Sequence, residues 1–120
     1  MVRIASKQPR KQRKARYNAA HHERGSLLRA PLSKELREKY NQRNTRVIKG
    51  DTVKVVRGDH IGVVGLVDFV LTKKARIVVD GVSVKKADGT EVPRPMDPSN
   101  VMITELNLED KRRGQKLGGE

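Results

Sequence analysis

The chain has 120 residues, with 27 Lys and Arg against 14 Asp and Glu and a net charge of +13 at pH 7. It contains no cysteine, which excludes a disulfide framework, a Cys-based zinc finger and a thiol nucleophile. No stretch approaches the ~18 apolar residues of a membrane span, and no secretory signal opens the chain. The composition predicts a cytoplasmic protein whose partner is polyanionic, either nucleic acid or an anionic membrane surface.

The positive charge is concentrated in the first part of the chain. Residues 1–49 hold 15 Lys and Arg against three acidic residues, whereas residues 50–120 hold 12 against 11. This asymmetry predicts a basic N-terminal extension, residues 1–48, followed by a nearly neutral folded domain, residues 49–104. The remaining residues, 105–120, are predicted to be a polar C-terminal tail.

Residues 6–18, SKQPRKQRKARYN, contain six Lys and Arg, no acid and no aliphatic side chain larger than Ala15. Such a segment buries no apolar area that offsets its ordering entropy. Residues 1–24 are therefore expected to be disordered alone and to become ordered on a polyanion. A solvated low-complexity tail is the alternative interpretation.

The basic residues of this segment are the first candidates for nucleic-acid contact. A Lys or Arg that meets a phosphate displaces condensed counterions and gives affinity without base specificity. The candidates are Lys7, Arg10, Lys11, Arg13, Lys14, Arg16 and Arg24.

Tyr17, His21 and His22 are further candidates for stacking or hydrogen bonding. The two histidines are adjacent, which is not the spacing of helical metal ligands, so no metal site is predicted. Aromatic residues make up 2% of the chain, which favours structured RNA over single strands.

A short helix is predicted near residues 33–43. Ser33 is a plausible N-cap, and Leu32, Leu36 and Tyr40 fall on one face at i, i+4 and i+8. A helix this short would need to dock against the domain in order to persist.

Strands are predicted from Thr52 onward, at residues 52–56, 63–72, 76–80, 82–86 and 100–104. Short strands with Gly-rich turns between them indicate a mainly β fold, a small antiparallel barrel. The predicted core residues are Val53, Val55, Val67, Phe69, Ile77, Val79, Val84, Val101 and Ile103. No phosphate-binding Gly-rich loop occurs, and turn chemistry accounts for the acids at strand ends, so no enzyme, cofactor or small-molecule substrate is predicted.

The segment KGDTVKVVRGDHIGVVGLV, residues 49–67, has glycines at 50, 58, 62 and 65 around a tight loop. Glycine at such positions permits positive φ and the close approach of another backbone. The spacing alone fits an ordinary hairpin turn as well as a ligand-contacting loop.

These residues resemble a known motif. Lys49-Gly50-Asp51, the valines at 53, 55 and 67, and the glycines at 58, 62 and 65 match the KOW motif of SH3-like barrels. Five stretches in order resemble the KOW-domain protein family of the large ribosomal subunit, number twenty-four in the universal naming, in its archaeal and eukaryotic type. They are residues 6–19, 30–40, 49–67, 87–95 and 99–104.

The resemblance implies an SH3-like barrel in a non-enzymatic component of the large subunit. It implies binding to large-subunit rRNA, chiefly the 5′ domain, a role in assembly, neighbouring ribosomal proteins as partners, and a position near the polypeptide exit tunnel. The implied RNA contacts in the loop are Arg57, Gly58, His60 and Gly62. Many members carry Lys where this chain has Ile61, and a basic or polar residue where it has Leu66.

Two alternatives remain. One is a KOW-type transcription elongation factor that binds RNA or RNA polymerase. Such factors usually carry an α/β domain before the KOW barrel, and 49 mostly cationic residues cannot supply that core. The other is an enzyme on a small barrel, which no residue pattern supports.

Overall fold

The computed structural model describes residues 4–117. Four helices are present in that range: α1 (Pro9–Tyr17), α2 (His21–Arg24), α3 (Lys34–Tyr40) and α4 (Lys111–Lys116). Three 3-10 turns lie at Gly25–Leu28, Thr72–Lys74 and Pro98–Asn100. The strands are β1 (Arg29–Pro31), β2 (Asn44–Arg46), β3 (Thr52–Val55), β4 (Val64–Leu71), β5 (Arg76–Val79), β6 (Ser83–Lys85), β7 (Glu91–Pro93) and β8 (Val101–Glu105).

A four-stranded antiparallel sheet, in the order β5-β4-β3-β8, is the centre of the fold. Two two-stranded sheets, β1-β2 and β6-β7, lie outside it. Single bridges join Leu32 to Ile103 and Ile77 to Met96, so both edge strands of the central sheet have a neighbour. The prediction of a mainly β fold is confirmed, although the strands of residues 4–117 form open sheets and no closed barrel.

Alternating side chains of the central sheet form the hydrophobic core. Seven of the predicted core residues are buried, which confirms that part of the prediction: Val53, Val55, Val67, Ile77, Val79, Val101 and Ile103. Leu28, Ala30, Leu32 and Val47 are buried in the same cluster. The core therefore draws on residues before position 49 that the charge pattern assigned to the extension.

Two predicted core residues, Phe69 and Val84, are exposed. Phe69 is 59% exposed because the register of β4 against β5 shifts between Val67 and Phe69. Such a bulge breaks the strict alternation of faces on which the prediction relied. Val84 lies on the β6-β7 hairpin, and that two-stranded sheet leaves it 42% exposed.

Residues 9–17 and 21–24 are helical, whereas the sequence predicted no structure for residues 1–24. Residues 1–3 of that prediction lie outside the described residues. Helix α1 buries no residue, so packing does not account for it. Pro9 stands at the start of α1, where its fixed φ suits a helix, and Arg, Lys, Gln and Ala are good helix formers.

The predicted helix near 33–43 is present as α3, and it is shorter than predicted. Ser33 occupies the N-cap position without a side-chain cap, and Asn41 ends the helix with a φ of 52°. Leu32 precedes the helix. Its backbone forms a β-bridge with Ile103, and its side chain is buried in the core. Tyr40 is buried and Leu36 packs against the core, so the predicted face docks as expected.

A buried ion pair fixes the C-terminal segment to the central sheet. Asp51 is completely buried, and its carboxylate accepts hydrogen bonds from Arg113 at 2.6 and 2.7 Å. The backbone amides of Ile48 and Asn107 also donate to it, at 3.1 and 2.9 Å. These bonds hold α4 in place, where the sequence indicated only a polar tail.

Candidate nucleic-acid interface

Helix α1 presents its cations to solvent. Lys7 just before the helix is exposed, Tyr17 is 77% exposed, and the five Lys and Arg residues of the helix are all exposed: Arg10, Lys11, Arg13, Lys14 and Arg16. No acidic residue in the described chain forms an ion pair with any of them. Arg13, Arg16 and Tyr17 stand at i, i+3 and i+4, so they share one face of the helix. The helix therefore offers unneutralised positive charge on an exposed rod.

Arg24 joins α1 to the rest of the protein. Its guanidinium donates hydrogen bonds to the carbonyl oxygens of Tyr17 at 2.8 Å, Ala19 at 2.8 Å and Lys73 at 2.6 Å. The first two bonds lie at the C-terminal end of α1, and the third reaches the turn after β4. These bonds position α1, and contact between Arg24 and RNA stays a prediction.

The face of α1 that carries Arg13 and Arg16 lines a groove of about 710 Å³ against the Thr72–Lys74 turn. We call it the arm groove. Its lining includes six cationic residues and no acidic one: Arg13, Arg16, Arg24, Lys73, Lys74 and Arg76. Cations crowded this way around a water-accessible groove repel one another, and an anionic ligand relieves that repulsion.

One carboxylate, Asp97, lies beside the arm groove. It forms an ion pair with Arg76 at 3.0 Å. Burial alone would raise the pKa of Asp97, but hydrogen bonds from Ser99 and the charges of Arg76 and Arg16 outweigh it, so the pKa lies below its ordinary value. Asp97 therefore remains ionised at neutral pH and fixes Arg76 at the rim of the groove.

The 57–62 loop, which connects β3 to β4, closes through a hydrogen bond from the Gly62 amide to the Val55 carbonyl at 2.9 Å. Gly58 has a φ of +100° and Gly62 a φ of +91°, and a Cβ on either would meet no atom within 4 Å. Both glycines are thus required for the backbone conformation, and the space beside them is open. Arg57 is exposed and His60 is partly exposed.

A second concavity, the loop pocket, is lined by Arg57, Gly58 and His60 together with Arg94. Two carboxylates share its lining, and each is paired with an arginine: Asp59 with Arg94 at 3.0 Å, and Asp97 with Arg76 at 3.0 Å. Arg76 and Pro95 line both the loop pocket and the arm groove. The two depressions are therefore contiguous, and they join the predicted arm to the predicted loop along one surface.

The structure brings together some of the predicted residues. Arg13, Arg16, Tyr17 and Arg24 line the arm groove, and Arg57, Gly58 and His60 line the loop pocket. The predicted residues outside both linings are Lys7, Arg10, Lys11, Lys14, His21, His22 and Gly62. Four further cations line these depressions without having been predicted from the sequence: Lys73, Lys74, Arg76 and Arg94. For Lys73 and Lys74, the available sequence signal was two adjacent lysines between two predicted strands.

Residues 4–117 contain no cluster of three His, Cys, Asp or Glu side chains that could hold a metal ion. No helix within that range is long and apolar enough to cross a membrane.

The fold and this surface define a small, strongly cationic, mainly β protein whose exposed positive charges border contiguous grooves. A sequence model of the family that comprises the eukaryotic ribosomal proteins L26 and their archaeal counterparts of the L24 type matches residues 6–119. The chain therefore belongs to this family of ribosomal proteins.

Two similar proteins support the assignment. The chain is 79% identical over 120 residues to the large ribosomal subunit protein uL24 of Methanospirillum hungatei JF-1, with 100% of both chains covered. It is 70% identical over 119 residues to the protein of that name from Methanoculleus marisnigri, covering 99% of this chain and 98% of the other. These matches give no support to the alternative of a transcription elongation factor.

Proposed function

We propose that this chain is a structural, non-enzymatic constituent of the large ribosomal subunit in the cytoplasm, and that it binds large-subunit rRNA. Family membership and the names of its relatives support the ribosomal role. The observation that carries RNA binding is the contiguity of the arm groove and the loop pocket, because it makes two separately predicted elements parts of one cationic surface.

The physical basis of binding is phosphate neutralisation. Each Lys or Arg that meets a phosphate releases condensed counterions, and Arg adds planar donors that suit phosphate oxygens. The arm groove supplies Arg13, Arg16, Lys73 and Lys74, and the loop pocket supplies Arg57. The open space at Gly58 and Gly62 lets an RNA backbone approach the loop closely.

The finer parts of the proposal follow the family resemblance. Residues 49–104 form an SH3-like KOW domain, preceded by the extension at 1–48 and followed by the tail at 105–120. The bridges from Leu32 and Met96 to the edge strands support a barrel-like closure. The rRNA partner is chiefly the 5′ domain, and the protein supports assembly near the polypeptide exit tunnel, beside other ribosomal proteins.

The test is a comparison of two double variants that remove equal charge. Arg13→Ala with Arg16→Ala removes two cations from the arm groove. Lys85→Ala with Lys86→Ala removes two exposed cations at and just beyond the end of β6, outside both linings. Affinity for a transcribed 5′-domain rRNA fragment is measured over a range of salt concentrations.

We expect the arm-groove variant to bind more weakly and to lower the slope of log affinity against log salt by about 2, or roughly one per lost contact. The control should keep the wild-type slope. Equal slopes for the two variants would show that binding reflects net charge alone and would refute the proposed surface.

A further inference from the structure

The only phenylalanine of the chain, Phe69, lies on the surface of the central sheet and is 59% exposed. The bulge between Val67 and Phe69 is the local cause. Val67 before the bulge is buried in the core, and Phe69 after it faces outward. β-Bulges commonly re-aim a side chain next to a functional site. No contact in the arm groove or the loop pocket uses this ring.

The ring lies in a concavity that combines apolar and charged side chains. Phe69 lines this shallow concavity, which we call the Phe69 site, together with two cations, one acid, Thr72 and four apolar residues: Arg46, Lys49, Asp68, Val47, Ile48, Val70 and Leu71. The Lys49 ammonium lies 6.0 Å from the centre of the ring, within the range of a cation–π contact. The Phe69 site thus holds two cations, Lys49 beside the ring and Arg46 elsewhere in the lining, against a single exposed carboxylate, Asp68. An aromatic face beside positive charge suits a ligand that is both planar and anionic.

The Phe69 site connects two cationic grooves. Thr72 also lines the arm groove. Arg46 and Ile48 also line a groove of about 280 Å³ beside α4. We call this the α4 groove, and its cations are Arg29, Arg46, Arg112, Arg113 and Lys116, with Asp110 as the one acid. Arg113 is neutralised by Asp51, and the other four form no ion pair within residues 4–117.

We propose that Phe69 is a stacking site for one unpaired base of an RNA whose backbone runs from the arm groove to the α4 groove. This inference rests on the proposed RNA binding and adds a base contact to it. The ring packs against the face of the base, and Lys49 and Arg46 pair with neighbouring phosphates. Aromatic stacking tolerates any base, because every base has a π-face.

RNA fits this site better than the apolar side chain of a neighbouring protein. An apolar partner would cover Lys49 and Arg46 without supplying acceptors, and desolvated unpaired charge is costly. A nucleotide supplies the base and the phosphates together. The cationic grooves at both ends of the site also match a continuous anionic chain rather than a compact side chain.

The test uses two RNA hexanucleotides with identical phosphates, one of adenosine and one of abasic residues. Binding to the full chain is followed by NMR, with the ring protons of Phe69 as the local signal. For the wild type we expect tighter binding of the adenosine hexamer and an upfield shift of those ring protons. Phe69→Leu should lose about tenfold in affinity for the adenosine hexamer and little for the abasic one. Phe69→Tyr should restore the difference.

Val84→Ala is the control, since Val84 is another exposed apolar residue, lies on the β6-β7 hairpin, and lines neither the Phe69 site nor the grooves beside it. It should keep the preference for the adenosine hexamer. Equal affinity of Phe69→Leu and wild type for the adenosine hexamer would overturn the inference, as would an equal loss of the preference in Val84→Ala. Wild-type binding to both hexamers with equal affinity would overturn stacking and leave the proposed rRNA binding intact. Absence of binding to both hexamers by a protein that still binds the 5′-domain rRNA fragment would also overturn the inference and leave the proposed rRNA binding intact.

Discussion

At the residue scale, the most consequential contact is one between side chains 62 positions apart. Asp51 has no exposed surface, and its two carboxylate oxygens receive the Arg113 guanidinium and two backbone amides. A buried carboxylate without such partners is strongly unfavourable. The pair therefore determines whether the C-terminal segment can remain docked.

Arg113→Ala should destabilise the protein by about 3–5 kcal/mol, since it leaves the Asp51 carboxylate buried without its countercharge. The free energy of unfolding in urea measures this. The control is Asp59→Asn, which breaks the exposed pair with Arg94 and should cost less than about 1 kcal/mol. A similar loss in the two variants would contradict the distinction between buried and exposed pairs.

Two glycines that the sequence treats alike should respond differently to substitution by alanine. Gly62 has open space around it but a φ of +91°, so Gly62→Ala should cost about 1 kcal/mol in backbone strain. At Gly65 a Cβ would lie against the carbonyl oxygen of Asp80, and backbone cannot easily move aside. Gly65→Ala should therefore cost more than Gly62→Ala, up to about 3 kcal/mol.

Thermal melts of Gly62→Ala and Gly65→Ala compare these two costs. Measuring thermal stability and rRNA-fragment affinity on Gly62→Val tests whether Gly62 lies at the RNA surface. Gly62→Val is expected to impair rRNA binding more than it impairs stability, because its side chain would project into the space that RNA is proposed to occupy. If the affinity of Gly62→Val falls only as far as its loss of stability explains, Gly62 serves the turn and does not contact RNA.

At the element scale, α1 and the core strands have different physical origins. The strands persist because alternate side chains are buried, whereas α1 buries none and depends on intrinsic propensity and on the Arg24 contacts at its end. A nine-residue helix without a packed face is marginal in water. The arm is therefore an element that contributes to binding and little to folding.

Deleting residues 1–16 should change the free energy of unfolding by no more than about 0.5 kcal/mol, because no core side chain is lost. It should also flatten the salt dependence of rRNA binding, by roughly one unit of slope for each phosphate contact removed. Urea denaturation and binding titrations on the same truncated protein give both values. A large loss of stability would show that α1 packs on the core.

At the scale of the whole molecule, the two ends differ in their attachment. The N-terminal helix is held mainly by hydrogen bonds from one arginine to backbone carbonyls. The C-terminal helix is held by the buried ion pair, by Asn107 and by Leu117, which is only 2% exposed. The arm can therefore be lost without disturbing the core, and the C-terminal segment cannot.

Truncation after Asn107 should reduce stability at least as much as Arg113→Ala does, by about 3 kcal/mol or more. Deletion of residues 1–16 removes more residues than that truncation does, yet it should have little effect on stability. Melting temperatures of the two truncated proteins under the same conditions compare the ends directly. Equal destabilisation would argue against the asymmetry.

Much of the molecule could be predicted from local patterns. The uneven charge indicated the exposed cationic arm, the alternation of valines indicated β3, β5 and β8, and the glycine spacing indicated the positive φ at Gly58 and Gly62. These features depend on residues that lie close together in the chain. The arm was nevertheless expected to lack structure, because reasoning from burial overlooked the helix propensity of Lys, Arg, Gln and Ala.

What only the tertiary structure decided involves distant residues or a break in periodicity. The bulge that exposes Phe69 shifts the strand by one position, and a period of two predicts the wrong face from that point onward. The partner of Asp51 lies 62 residues away, and no local pattern distinguishes Arg113 from the other arginines. Arg76 and Pro95 join the arm groove to the loop pocket because strand pairing brings separate turns together.

By itself the sequence determined which residues carry charge and which can be buried, because side-chain chemistry is local. The positions of those charges relative to one another depend on how the chain packs.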